Sequence, residues 1–403
     1  MQQIFAELFS GVVDMVSIAG LKSLIMFVIA GVLIYLAIKK DYEPTLLLPI
    51  GFGCILANLP GAIDAVTGLK APAALGEAGF LSVLFDAGIA NELFPVLIFI
   101  AVGAMIDFSP LLKDPSMIFF GAAAQFGIFA TFLLSLVLIP IIPGLVAEGD
   151  QDMVLKLASA IGIIGAADGP TTLFVANHFE LKDYMGPISV AAYSYMALVP
   201  VIQPPVIKAL TTKKERMIRM DYQEERCSKT TLILFPIIVT IVAGIIVPMS
   251  APLVGSLMFG NLIRECGVLE RLSKTAQNEL ANLVTIVLGI TVGGTMVADK
   301  FLHPTTALIL ILGLFAFVFD TAGGVLFAKF LNLFRKKKVN PMIGAAGISA
   351  FPMSSRVIAK MALKEDPSNF ILMQSTSANV SGQLGSIVAG GMVITLVSML
   401  LGG

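Results

Sequence analysis

Residues 159–174 read Ser159-Ala-Ile-Gly-Ile-Ile-Gly-Ala-Ala-Asp168-Gly-Pro-Thr-Thr-Leu-Phe174, an apolar run long enough to lie in a membrane that holds a single carboxylate. An ionised Asp at the centre of a spanning helix costs about 2.5 to 3.5 kcal/mol on insertion scales, so Asp168 needs a partner or an ion. Gly169 and Pro170 disfavour a continued helix, the first through backbone freedom and the second through its missing N–H and its clash with the preceding turn. The helix should therefore break at the carboxylate. Such a break frees backbone carbonyls at membrane depth, where they are tolerated only inside protein or along a polar cavity. Together with the hydroxyls of Thr171 and Thr172 they form a set of hard oxygen donors that suits an alkali cation. The competing reading is a Pro-kinked helix whose Asp168 pairs with a buried Lys or Arg.

Composition sets the class. Of 403 residues, 57% are hydrophobic and 13% charged, against about 25% charged in a soluble protein. The chain reads as an all-α polytopic membrane protein. A net charge of −1 offers no handle for nucleic acid, and Cys54, Cys227 and Cys266 lack CxxC spacing while His178 and His303 stand alone, so zinc, haem and iron–sulfur sites are not expected. Trp is absent, which leaves Tyr, Lys and Arg to anchor the interfaces with membrane lipid.

Apolar segments fall near 21–38, 45–59, 92–109, 117–142, 154–176 and 188–207, and again near 230–249, 251–263, 280–297, 305–330, 341–360 and 371–400. Several are shorter than the ~20 residues a full crossing needs and read as half-helices or re-entrant pieces. Residues 79–90, with Asp86, Gly88 and nearby Glu92, are a further re-entrant candidate. Lys39-Lys40, the mixed run Lys208 to Lys229 and Arg335-Lys-Lys-Lys338 mark three cytoplasmic sites, and the acidic loop Glu148-Gly-Asp-Gln-Asp152 is placed outside. The organisation expected is an interfacial helix over 1–20, a membrane repeat over 21–207, a cytoplasmic connector over 208–229 and an inverted repeat over 230–403. Four internal matches occur in the same order. Phe27 pairs with Phe235, Ile50-Gly-Phe-Gly-Cys-Ile-Leu56 with Leu257-Met-Phe-Gly-Asn-Leu-Ile263, and Val102-Gly-Ala-Met-Ile-Asp107 with Val292-Gly-Gly-Thr-Met-Val-Ala-Asp299. Gly162-x-x-Gly165-x-x-x-x-Pro170 recurs as Gly344-x-x-Gly347-x-x-x-x-Pro352. Two inverted repeats whose broken or re-entrant helices cross near the midplane point to a binding site at that crossing.

Four segments would converge there. Beside Asp168 stand Ala191-Ala-Tyr-Ser-Tyr-Met196 with two phenols, Asn340 to Arg356 with an amide, small residues, Ser349 and a guanidinium, and the polar run Gln374-Ser-Thr-Ser-Ala-Asn-Val-Ser-Gly-Gln383. The last supplies Ser377 and Asn379 as oxygen donors, although small-residue helix packing would also explain its serines. Arg356 could be the counter-ion of Asp168, or its planar fork could bind a carboxylate from outside.

Gly165-Ala-Ala-Asp-Gly-Pro-Thr-Thr172, Ala191-Ala-Tyr-Ser-Tyr-Met-Ala-Leu-Val-Pro-x-Ile-Gln-Pro-Pro205 and Asn340-Pro-x-Ile-Gly-x-x-Gly-Ile-Ser-Ala-Phe-Pro-Met-Ser-x-Arg356 together resemble the beta subunit of the biotin-dependent sodium-pumping decarboxylases of oxaloacetate, methylmalonyl-CoA and glutaconyl-CoA. The resemblance runs over nearly the whole chain from about residue 21. It implies a multi-pass subunit of the prokaryotic cytoplasmic membrane that decarboxylates carboxybiotin, exports Na⁺ and consumes an outside proton. The biotin would ride on a separate subunit. Implied partners are a biotin-carrier and carboxyltransferase alpha subunit, a small gamma or delta membrane subunit, and further beta subunits in a homo-oligomer. By motif, the essential Asp falls on Asp168, the functional Asn, Gly, Ser and Arg on Asn340, Gly344, Ser349 and Arg356, and a Na⁺-site Asn on Asn379; the functional Tyr is Tyr193 or Tyr195. Residue chemistry unaided reaches a Na⁺- or H⁺-coupled transporter, and a secondary transporter of a carboxylate, with Arg356 binding the substrate, is the competing class.

Overall fold

Within lipid every backbone N–H and C=O must be satisfied inside the protein, and a chain this apolar meets that demand with helices. A computed structural model describes residues 18–40, 43–59, 79–142, 146–147, 149–220 and 227–402. The interfacial helix expected over 1–20 lies almost wholly outside them. The first half comprises α1 (Ile18–Lys40), α2 (Pro44–Ala57), α3 (Leu93–Met105), α4 (Ile118–Ala124), α5 (Phe126–Leu138), α6 (Gln151–Ile163), α7 (Gly169–His178) and α8 (Met185–Leu210). The second comprises α9 (Lys229–Ile246), α10 (Ala251–Glu265), α11 (Ala281–Gly294), α12 (Pro304–Phe334), α13 (Met342–Ala345), α14 (Met353–Glu365) and α15 (Leu372–Leu400).

Among the described residues five helices are long and apolar enough to cross a membrane, at 20–40, 115–141, 229–246, 304–334 and 372–400. Two bent pairs bring the number to seven if each is one span: 80–89 with 93–105, bent by 61°, and 182–196 with 198–210, bent by 65°. The first of these is the segment expected to be re-entrant. Ten-residue α7 and thirteen-residue α6 and α14 are too short to cross alone, as the interrupted apolar pattern requires.

Two helix pairs join the halves with reciprocal contacts. α2 packs on α11 and α3 on α10. Each pair closes through glycines, because an added Cβ on Gly53 would collide with Ile290 O and one on Gly293 with Ile50 O, while Gly103 and Gly260 stand in the same relation to Leu257 O and Ile100 O. Small residues permit such close approach where lipid supplies no hydrophobic drive between helices. Asparagines finish each pair. Asn58 Nδ2 donates to Met296 O at 2.7 Å beyond the end of α11, and Asn261 Nδ2 to Ile106 O at 3.0 Å beyond the end of α3. Gly53 and Gly260, Gly103 and Gly293, and Ile106 and Met296 are the residues matched by the internal sequence comparison, so the matched motifs meet across the molecule.

Charged groups gather at two ends. Lys22 pairs with Asp299 at 2.6 Å and Lys300 with Asp183 at 2.9 Å at one end. At the other, Arg335 donates to Ser116 Oγ at 3.1 Å and the connector folds back on α14 through Arg216–Glu365 and Arg219–Asp366, both 2.8 Å. The Arg219 guanidinium, hydrogen-bonded to it, holds the Asp366 carboxyl below the usual carboxylate range. Between these ends α4, α5, α12 and α15 surround α7, α13 and the inner turns of α6, whose residues are almost all buried.

Candidate functional site

Two helices stop and restart inside the bundle. After α6 the chain tightens into a 3-10 turn at Ile164–Ala166, Ala167 takes left-handed backbone with φ 53°, and Asp168 opens α7 as its N-cap. Asp168 Oδ1 accepts from Thr171 N at 3.2 Å and Oδ2 from Thr171 Oγ1 at 2.7 Å, while Thr172 Oγ1 donates to Asp168 O at 2.8 Å. The Asp-Gly-Pro-Thr sequence dictates this arrangement: Pro170 sits in the first turn, where its missing N–H costs nothing, and the carboxylate takes up a donor that the helix cannot satisfy. In the second interruption α13 ends after one turn and the chain passes through Gly347 to Pro352 before α14. Ser349 donates to Ala166 O twice, from N at 3.1 Å and from Oγ at 2.8 Å. A carbonyl freed by the first interruption is thus satisfied by the second, and the two touch.

α15 stitches both together along one face. Asn379, Gln383, Ser386 and Gly390 fall at helical spacings of four, three and four. Asn379 Nδ2 donates to Ile348 O at 2.6 Å, and Gln383 Nε2 and Ser386 Oγ donate to Asp168 Oδ2 at 3.2 and 2.8 Å. Gly382 and Gly390 let this face approach Gly347 O and Thr171 Cγ2. Asp168, 4% exposed, is held by neutral donors only, and no Lys, Arg or His contacts its carboxylate among the described residues. The kinked helix with a buried ion pair is therefore not the arrangement found. The α7 N-terminus offsets part of the charge. Oδ1 carries one backbone bond and keeps a lone pair free. Asn379 Oδ1 is buried with no hydrogen-bond partner, an open acceptor of the kind a hard cation takes.

The two phenols separate clearly. The Tyr193 ring lies on Gly169, where an added Cβ would meet it, and its hydroxyl is buried without a partner. Tyr195 turns away and donates to Leu310 O of α12. Of the predicted residues, the structure brings together Asp168, Thr171, Ser349, Asn379 and Tyr193. Arg356 is exposed in the first turn of α14, with no side-chain hydrogen bond or ion pair among the described residues. It is not the counter-ion of Asp168. Asn340 points the other way: Nδ2 donates to Arg216 O and Ile218 O at 2.8 and 2.9 Å, pinning the connector. Gly344 packs on Gly324 O of α12, where any Cβ would collide. Ser377 is buried and unpartnered; one turn on, Ser381 donates to Met117 O at 3.0 Å, so this face of α15 is not the one that meets Asp168.

Of the two α15 donors to Asp168, Gln383 closes the polar run expected at the crossing without being singled out there, and Ser386 lies beyond that run. Their spacing from Asn379 was the available signal.

The comparisons with known proteins bear on this geometry. A family model described as the Na⁺-transporting oxaloacetate decarboxylase beta subunit matches residues 22–397. The chain belongs to that family. It is 44% identical to the oxaloacetate decarboxylase beta chain of Klebsiella pneumoniae, over 94% of this chain and 96% of the relative. It is 47% identical to the methylmalonyl-CoA decarboxylase subunit beta of Propionigenium modestum over 93% and 94%, and 46% identical to that of Veillonella parvula over 93% and 93%. As a Na⁺-transporting decarboxylase beta subunit, the chain is a multi-pass protein of the bacterial cytoplasmic membrane that couples decarboxylation to sodium transport. Family membership decides against the secondary transporter of a carboxylate.

Proposed function

We propose that this beta subunit binds Na⁺ where the two interrupted helices cross and moves it outward as carboxybiotin, presented by a soluble carrier subunit, loses CO₂ near Arg356. The single observation that supports the ion site is the buried Asp168 carboxylate held without any basic partner beside the unpaired Asn379 Oδ1. Asp168, Thr171 and Asn379 would ligate the cargo, with Ser349 fixing the carbonyl-rich crossing around them. Tyr193, against Gly169, is the phenol placed to exchange a proton with the site. Asn340 and Gly344 act through position, one tethering the connector and the other admitting α13 against α12.

Arg356 is exposed in the first turn of α14, the helix whose last residue, Glu365, pairs with Arg216 of the connector, on the side whose charges read as cytoplasmic. A free guanidinium offers a planar fork for the carboxyl of carboxybiotin. The partners inferred are the biotin-carrier and carboxyltransferase alpha subunit, a small gamma or delta membrane subunit, and further beta subunits. We also infer that 21–207 and 230–403 are inverted repeats about the connector, which the reciprocal glycine and asparagine contacts support.

Arg356→Lys keeps the charge and removes the bidentate geometry. Decarboxylation of free carboxybiotin should fall tenfold or more, while Na⁺-dependent thermal stabilisation persists. Normal decarboxylation with lost Na⁺ response would move Arg356 into the ion site. In the intact complex, avidin should abolish Na⁺ uptake into inverted vesicles; avidin-insensitive uptake would contradict the role of biotin.

A further inference from the structure

A second carboxylate lies in the membrane core. Asp320, midway along α12, is 0% exposed. Its Oδ1 accepts from the backbone N–H of Ile128 at 3.1 Å where α5 begins. Oδ2 has no hydrogen-bond partner, and it faces the interruption that carries Asp168, since a Cβ on Gly165 would stand 2.8 Å from it. A helix start explains one oxygen and leaves the other unexplained.

The second observation is on α5. Six buried Ser and Thr turn back onto the carbonyl four residues earlier, Ser159, Thr172, Ser189, Thr211, Thr291 and Ser375, at 2.5 to 2.8 Å, whereas Thr321 beside Asp320 and Ser377 on α15 have no partner. Thr131 and Ser135 do not turn back either: both are 0% exposed and both hydroxyls lack a partner. They lie one and two turns beyond Gly127 on one side of α5, a reach of about 12 Å at 1.5 Å per residue. Directly after Ser135, Leu136 and Pro140 line a cavity of about 490 Å³ that Asp150 and Gln151 also border, at the acidic loop. Unpaired oxygens therefore run from Asp320 along α5 to Ser135, one residue short of the lining of a cavity at the end of the molecule read as outside.

We propose that Asp320 is a proton-binding site filled from the outer face through Thr131 and Ser135. A dehydrated Na⁺ needs several oxygens at once, such as the crossing at Asp168 offers, whereas Asp320 has one free oxygen, and one oxygen suffices for a proton. In the step, an O–H bond forms at Oδ2 as the O–H bond of a relay hydroxyl or water breaks, and that oxygen is reprotonated from outside water. No electron moves. No other titratable group competes at this contact: α4, α5, α13 and Ile164–Ala166 contain none, and the Asp152 and Lys156 of α6 lie in its outer turns. On α8, Tyr195 is committed to Leu310 O, Tyr193 lays its ring on Gly169 beside Asp168 and keeps an unpartnered hydroxyl there, and Lys208 is exposed near the far end. On α12, Lys329 pairs with Glu215 and His303 caps the opposite end, while Asp168 is held by Thr171, Gln383 and Ser386.

Only the direction of proton flow rests on the Na⁺-export reading, and one measurement is independent of it. A pH-jump infrared difference spectrum of the purified chain without Na⁺ should show a carboxylic C=O band that disappears in Asp320→Asn, whose amide oxygen can still cap α5. In proteoliposomes of the whole complex, Asp320→Asn should retain Na⁺-dependent thermal stabilisation while proton uptake falls tenfold or more and the response to outer pH is lost. An unchanged infrared band and pH response would make Asp320 a structural cap, and a lost Na⁺ shift would make it a Na⁺ ligand; either overturns the proposal. Should Asp320→Asn fail to fold, Thr131→Val with Ser135→Ala removes only unpartnered hydroxyls and should slow proton uptake several-fold. Uptake at the wild-type rate in that double variant would overturn the route.

Discussion

Asp168 is an acidic side chain that is buried and surrounded by neutral donors, and that combination fixes what each neighbour should do when changed. Tyr193→Phe removes a hydroxyl that bonds to nothing, so stability should hold while Na⁺ transport loses its coupling to decarboxylation. Tyr195→Phe breaks the bond to Leu310 O and should cost about 0.5 to 1.5 kcal/mol of stability with transport near normal. Thermal unfolding and vesicle transport of the pair check this, and the reverse pattern would exchange their roles. Asn379→Ala should raise the Na⁺ needed for half-maximal activity without abolishing it, because a neutral ligand contributes less than the carboxylate. An equal loss of stability at every Na⁺ concentration would mean that Asn379 only ties α15 to Ile348. At this scale the sequence showed the lone carboxylate and its oxygen-rich company plainly. It hid Ser386, Asp320 and which member of the run ending at Gln383 meets the carboxylate, since only the packing of α15 and α12 reveals which polar residues turn toward an interruption.

At the scale of elements the Asp-Gly-Pro break was legible, because the chemistry of that stop is local. Its partner was harder to read. The second interruption is satisfied by Ser349 reaching Ala166 O, a contact across 183 residues, and no local propensity encodes that. The glycine seams give the sharpest test. Gly293→Val should force α2 and α11 apart and cost about 1 to 3 kcal/mol through overpacking. Gly31 has nothing within 4 Å of where its Cβ would be, and Gly31→Ala in α1 should be neutral or stabilise by up to about 1 kcal/mol. Equal effects of the two substitutions on the melting temperature in detergent would show that the seams do not set the helix spacing.

For the whole molecule, the connector reaches the core through backbone contacts that its composition did not announce. Asn340 and Asn369 both hold the carbonyls of Arg216 and Ile218, so the connector is coupled to the second interruption by the residue that precedes it. Asn340→Ala should lower decarboxylation of carrier-bound carboxybiotin several-fold while leaving Na⁺-dependent stabilisation intact, as read from turnover and melting of the same preparation. Whether Na⁺ sits on Asp168 at the crossing is read from equilibrium binding of radioactive Na⁺ to the purified chain. At 100-fold excess over its Kd the ion should stabilise the wild type by about 2.7 kcal/mol by mass action. Asp168→Asn, which keeps the cap on α7, should lose both that stabilisation and the bound ion; Asp168→Asn chains that bind as much Na⁺ as the wild type, at the same affinity, would mean that the ion sits elsewhere.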